Sequence, residues 1–162
     1  MKIAIRWLTL ATILMTVCAP LQSQDNSTTG VFVTLGTGAG PYPDPNRAQP
    51  ANVLLHGSDA HLIDVGDGAA TRLAAAGVPL YTVRAIFVSH LHFDHIGGLA
   101  AILGLRWQTS ARGPLTIYGP PGTQRRVDGL FDFMRTTTEF GSGIDGEDLT
   151  PPNMNVEVVE LS

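Results

Sequence analysis

Four side chains that can bind metal ions lie within six residues of one another, at His90, His92, Asp94 and His95. Side chains two apart on an extended backbone point the same way, so His90 and His92 would present two imidazoles on one face. A turn after His92 would swing Asp94 and His95 towards a second position, where an oxygen and a nitrogen could bind another cation. The spacing therefore predicts metal binding by these four residues.

Histidines on a polar surface loop are the alternative interpretation of this cluster. It accounts poorly for the pattern, because three of the five histidines in the chain gather around one aspartate directly after an apolar strand. The end of such a strand is where α/β folds place their ligands. We therefore favour the metal site.

Strands and helices must alternate to hold this cluster. β-Branched and alternating segments, bounded by Gly and Pro, predict strands, while runs of helix formers predict helices. The predicted strands are residues 31–35, 52–56, 60–65, 84–89, 114–119 and 155–161, and the predicted helices are residues 69–76, 98–107 and 123–134. This order indicates an α/β fold that begins with a hairpin and continues as layered strands and helices.

Two aspartates at the end of the hairpin have two open interpretations. Asp64 and Asp67 could accept hydrogen bonds from the metal-binding loop and so orient its histidines. Equally, they could cap the helix that starts after Gly68, and we expect this structural role for Asp64. His56 and His61 flank the hairpin turn and are expected at the surface.

The first 24 residues have the composition of a signal peptide. Lys2 and Arg6 form a basic start, and the apolar run that follows is too short to span a bilayer. We expect cleavage between residues 19 and 24, export to the periplasm or beyond, and a mature domain of residues 25–162. A lipid anchor on Cys18 is the minor alternative, so no stable membrane anchor is expected after cleavage.

Loss of this segment changes the charge and the ligand chemistry of the chain. The formal net charge falls from −4 to −6 when Lys2 and Arg6 are removed, and the single cysteine, Cys18, is lost as well. Any metal would therefore be held by histidine and carboxylate. An acidic chain argues against a nucleic-acid partner, and Arg125 and Arg126 resemble an ordinary solvated helix face.

The chain resembles the metallo-β-lactamase superfamily, whose motif is His-x-His-x-Asp-His after a strand. The likeness runs from about residue 31 to the terminus, and it is strongest to the branch of tRNase Z and its arylsulfatase-like relatives. The segments that carry it are residues 35–38, the Pro-rich stretch ending at Asn46 and Arg47, residues 62–68 and residues 86–90.

This resemblance implies an αββα sandwich with a two-zinc centre at one edge. His90 and His92 would hold the first zinc ion, and Asp94 and His95 the second. Two such cations lower the pKa of a shared water, which can then attack a phosphorus, sulfur or carbonyl centre. Asp94 would also accept a hydrogen bond from that water, which makes it the candidate catalytic residue.

The family pattern asks for further ligands from later in the chain: a third histidine, a bridging aspartate and a last histidine. No histidine follows His95. The sequence is therefore interpreted as the N-terminal half to two-thirds of the domain, inactive by itself, with a reading frame expected to continue past Ser162. A degenerate member that binds metal poorly is the alternative.

These observations predict an exported zinc-dependent hydrolase of a phosphodiester, a sulfate ester or another small ester or amide. The expected partners are a small-molecule or ester substrate and a second copy of the chain in a homodimer, with no nucleic acid. The competing hypothesis is a non-catalytic or degenerate metal-binding module that serves as a secreted binding domain. Metal content would separate the two hypotheses.

Overall fold

One six-stranded sheet and four helices make up the parts of the chain that the computed structural model describes, residues 29–111, 113–139 and 155–162. The strands are β1 (Val31–Gly36), β2 (Ala51–His56), β3 (Asp59–Val65), β4 (Val83–Phe87), β5 (Leu115–Gly119) and β6 (Val156–Glu160). The helices are α1 (Ala69–Ala75), α2 (Phe93–Ile96), α3 (Leu99–Gln108) and α4 (Thr123–Glu139), and a 3₁₀ turn at Leu80–Thr82 precedes β4.

The strands lie in the sheet in the order in which they occur along the chain. Strands β1, β2 and β3 pair antiparallel, as consecutive hairpin strands do, whereas β3, β4, β5 and β6 pair in parallel. Because parallel strands end at the same edge, the ends of β3 and β4 lie side by side, with Ile63 opposite Phe87. The residues just after these two strands are therefore brought together.

The hydrophobic core lies between one face of the sheet and the helices packed on it. Its fully buried members come from both layers and include Leu62, Ile86, Ile117, Leu73, Ile102 and Val127. Burying a side chain of this size contributes about 1.5–3 kcal/mol. The packing of these strand and helix residues holds in place the edge of the sheet that carries the metal-binding motif.

The predicted order of strands and helices is confirmed, with two local differences. The strand predicted for residues 84–89 ends at Phe87, because the Ser89 N–H donates to the Asp64 side chain, 2.8 Å away, instead of to a neighbouring strand. The turn expected after His92 is the single helical turn α2, and α4 continues beyond residue 134 to Glu139.

The predicted signal peptide, residues 1–24, lies outside the described residues, so the cleavage site and the domain start at residue 25 stay predictions. In the described part of the chain, none of the helices is both long and apolar enough to cross a bilayer. The strand predicted at residues 155–161 is confirmed as β6, which pairs with β5 at the edge of the sheet.

Candidate metal centre at the end of strand β4

The three histidines of the motif form a tight cluster. The ring of His90 lies between the other two, with its centroid 4.6 Å from that of His92 and 4.0 Å from that of His95. The backbone leaves the sheet after the Val88 N–H donates to the Tyr118 carbonyl. The chain then passes through an extended His92 into α2, which carries Asp94 and His95.

Asp64 supports this cluster through hydrogen bonds to Ser89 and His95. Its carboxylate is buried and accepts hydrogen bonds from the Ser89 N–H at 2.8 Å, the Ser89 hydroxyl at 2.8 Å and Nδ1 of His95 at 2.7 Å. Its φ of 56° lies in the left-handed region, which Asp tolerates better than most residues. Asp64 therefore orients His95 and makes no side-chain cap at the start of α1, so the capping role expected for it is wrong.

The hydrogen bonds assign the tautomers of two histidines. The Asp64 carboxylate only accepts, so Nδ1 of His95 carries the hydrogen. The Ser89 hydroxyl gives its hydrogen to Asp64, so its oxygen accepts from Nδ1 of His90 at 3.0 Å. Both imidazoles are left with a free lone pair on Nε2, the atom with which a neutral histidine binds metal.

Asp94 is held by a glycine distant in the sequence. The Gly40 N–H donates to Oδ2 of Asp94 at 2.9 Å, and this bond holds the pKa of Asp94 below its usual range, so the carboxylate is ionised at neutral pH. A Cβ atom at Gly40 would lie 2.7 Å from Cγ of Asp94, closer than side chains approach. Only glycine fits there without moving the carboxylate.

The donor set suits a divalent cation of the zinc type. Nε2 of His95 and Oδ2 of Asp94 converge to 3.6 Å, as two ligands of one ion do, and histidine nitrogen with carboxylate oxygen is a zinc-type ligand set. Among the described residues, no three or more His, Cys, Asp or Glu side chains are arranged to hold a single ion. The motif thus offers paired ligands, and metal binding by His90, His92, Asp94 and His95 stays a prediction.

A cavity of about 400 Å³ opens beside Asp94. It is lined by Gly40, Pro41, Gln49, His92, Phe93 and Asp94. Phe93, one of these lining residues, is 74% exposed. A substrate in this cavity would contact the carboxylate and an aromatic face together.

The structure also shows where Asp67, His56 and His61 lie. Asp67 is exposed, and its backbone N–H and carbonyl form hydrogen bonds with Gln49. Helix α1 begins after Gly68 without a side-chain cap. His56 is exposed on the hairpin as expected, whereas His61 is half-buried. The contributions of Ser89 and Gly40 were not foreseen. Ser89 directly precedes His90, and its hydroxyl was the only signal available.

The sheet topology and the histidine cluster at the end of β4 define a protein of the metallo-β-lactamase fold, the superfamily of metal-dependent hydrolases. The predicted α/β fold class is therefore confirmed. Within that class, the family model described as "Anti-Pycsar protein Apyc1" matches residues 31–127, more than half of the chain, and the chain belongs to this family.

Known relatives are enzymes of this fold. Ribonuclease Z of Mycolicibacterium paratuberculosis is 37% identical over 125 residues, which cover 75% of this chain and 44% of the relative. The crystal structure of human tRNase Z, short form, is 29% identical with a TM-score of 0.61, covering 82% of this chain and 45% of that one. The chain thus spans less than half the length of these relatives.

A third relative is a metal-bound protein of the same fold. The structure of Zn²⁺-bound PqqB from Methylobacterium extorquens matches with a TM-score of 0.53 and 20% identity, covering 83% of this chain and 46% of that one. This likeness shows the common fold alone. Metallo-β-lactamase-fold relatives do bind metal ions, and Zn²⁺-bound PqqB is one of them.

The prediction that nucleic acid is not a partner is wrong. The relatives at 37% and 29% identity are named for RNA and tRNA. Net charge misled that prediction because substrate binding depends on the local field at the site, and an acidic chain can still present a basic patch.

Proposed function

We propose that this chain carries the first metal ligands of a metal-dependent hydrolase that cleaves phosphodiester bonds in a nucleotide or nucleic-acid substrate. The observation that carries the proposal is the convergence of His95 and Asp94. His95 is held in place by its hydrogen bond to Asp64, and Asp94 by the hydrogen bond that it accepts from Gly40. The identity to ribonuclease Z favours the phosphodiester over the sulfate ester.

Two zinc ions would be shared among the motif residues, with His90 and His92 as ligands of one and Asp94 and His95 as ligands of the other. When bound, such ions supply Lewis acidity and lower the pKa of a water nucleophile. The Nδ1 hydrogen bonds of His90 and His95 leave their Nε2 lone pairs free to bind these ions.

Asp94 has a second role in the proposal. It is ionised at neutral pH because the Gly40 N–H stabilises the carboxylate. An ionised oxygen beside the reaction centre can accept a hydrogen bond from the attacking water and orient it. The cavity beside Asp94 would hold the leaving group or the adjoining sugar.

The test uses the product of the natural gene, purified with zinc. Hydrolysis of bis(p-nitrophenyl) phosphate is compared with that of p-nitrophenyl sulfate and p-nitrophenyl acetate, and zinc is counted by mass spectrometry. We expect bound zinc and the highest kcat/KM on the phosphodiester. Faster hydrolysis of the sulfate would show that the substrate is a sulfate ester and not a phosphodiester. Bound zinc without any hydrolysis would favour the non-catalytic module.

We further propose export of the mature protein, which the basic and then apolar composition of residues 1–24 supports. Cell fractionation and N-terminal sequencing of the protein from its natural host test this proposal. A mature N-terminus at one of residues 20–25 in the exported fraction is the expected result. A cytoplasmic protein that keeps Met1 would overturn it.

A further inference from the structure

A second cavity adjoins the metal-binding motif on the side of α4. Its volume is about 590 Å³, within the range of roughly 300–1,000 Å³ that small-molecule sites occupy. The residues that line it are Leu91, Gly122, Arg125, Arg126, Gly129 and Leu130. Leu91 lies between the two motif histidines His90 and His92, so this cavity and the proposed metal centre share one loop.

The helix residues of this cavity form one stripe along α4. Arg125, Arg126, Gly129 and Leu130 recur at helical spacing, so they lie on one face. A Cβ at Gly129 would meet no atom within 4 Å, which leaves the stripe open between the arginines and Leu130. At the start of the helix, Gly122 comes so close to Leu91 that a Cβ there would lie 3.2 Å from Cδ1 of Leu91.

The two arginines give this cavity its charge. Both side chains are exposed, and neither guanidinium has a hydrogen bond or ion pair with another residue in the part of the chain that the structure describes. The nearby carboxylate of Asp128 accepts a hydrogen bond from Gln124, and both of those residues line a different cavity. The stripe therefore carries two positive charges, while a carboxylate against the lining, that of Glu160, accepts hydrogen bonds from the N–H groups of Gly122 and Gln124 at the start of the helix.

We propose that this cavity binds a nucleotide next to the scissile bond, with Arg125 and Arg126 on its flanking phosphate and Leu91 and Leu130 against its sugar or base. Guanidinium groups bind phosphate by paired, charge-assisted hydrogen bonds. This inference rests on the proposed function and narrows its substrate to chains of at least two phosphates.

The first experiment compares two substrates on the zinc-loaded natural gene product. One is a dinucleoside monophosphate, and the other is the same molecule with an added terminal phosphate, tested at each end. The wild-type protein should prefer one of the phosphorylated substrates by about tenfold or more in kcat/KM. In R125Q/R126Q that ratio should fall towards one.

Two further variants make the result specific. Arg135→Gln removes the same charge from the same helix, at a residue that pairs with Asp132 outside the cavity, and the ratio should persist. Gly129→Leu fills the cavity while improving helix propensity, so the ratio should fall with no loss in unfolding midpoint. Equal preference in wild type and R125Q/R126Q would overturn the inference even if the phosphodiesterase activity is confirmed.

Binding without turnover separates failure of the inference from failure of the proposed function. A labelled trinucleotide is titrated by fluorescence anisotropy against the Asp94→Asn protein over a series of salt concentrations. Adding R125Q or R126Q should weaken binding and lower the slope of log affinity against log salt by about one each. An unchanged slope would refute the phosphate contact whether or not any substrate is cleaved.

Discussion

Oδ2 of Asp64 lies 2.7 Å from Nδ1 of His95, across 31 residues of sequence. This contact joins the end of β3 to the metal-binding loop after β4. It sets the tautomer of His95 and leaves Nε2 facing the carboxylate of Asp94. Asp64 is thus a positioning residue for the proposed metal centre, and its removal can be tested separately from the ligands.

Asp64→Asn should weaken zinc binding by about 10–100-fold, since an amide cannot accept all three hydrogen bonds that the carboxylate accepts. The free energy of unfolding should fall by about 1–3 kcal/mol for the buried donor left without an acceptor. Competition with a chromophoric chelator and urea unfolding measure the two effects. The control is Asp67→Asn on the exposed neighbour, and equal zinc affinity in both variants would contradict the assignment.

Asp94→Asn should reduce phosphodiester turnover by about 100-fold to 10,000-fold, because it removes a proposed ligand and the oxygen that orients water. The unfolding midpoint should change little, since the side chain lies at the rim of a cavity. Steady-state kinetics and zinc content are measured together, with Asp132→Asn as the exposed control. Near wild-type turnover with both metals bound would remove Asp94 from the mechanism.

Gly40→Ala should impair the site without altering a single ligand. The added methyl would lie 2.7 Å from Cγ of Asp94, so the carboxylate must leave the position in which it accepts from the Gly40 N–H and faces His95. We expect weaker zinc binding and lower kcat. Gly104→Ala adds the same methyl inside α3 at 3.4 Å from Sδ of Met134, and it should raise stability by about 0.4–1 kcal/mol without affecting zinc. Zinc titration of both variants measures the difference, and equal zinc affinity in the two would contradict the role of Gly40.

Arg106→Leu should destabilise the fold and leave the ligands intact. The side chain is buried, and its guanidinium donates to the carbonyls of Leu80, Val83 and Gly113, which ties α3 to the start of β4 and the approach to β5. Burial lowers the pKa of Arg106 from its usual value, yet it stays charged at neutral pH. We expect the free energy of unfolding, measured with urea, to fall by about 2–4 kcal/mol. Zinc affinity per folded molecule should not change, and a selective loss of zinc would contradict this structural role.

Much of this protein can be predicted from local patterns in the sequence. The hairpin around residues 57–59, the apolar strand before His90 and the helix formers after Gly68 each follow from the side-chain period and from turn residues, which act over a few positions. The four-residue cluster from His90 to His95 is recognisable for the same reason, since its members are close in the chain.

The tertiary structure alone decided which distant groups serve that cluster. Gly40 reaches Asp94 across 54 residues, Asp64 reaches His95 across 31, and Arg125 and Arg126 line a cavity with Leu91. No local spacing encodes these contacts. They arise because parallel pairing brings the ends of β3, β4 and β5 to one edge of the sheet, where the chain segments that follow them meet. The sequence by itself determined the ligand chemistry, and the packing of the sheet decided how those ligands are held and which charges surround them.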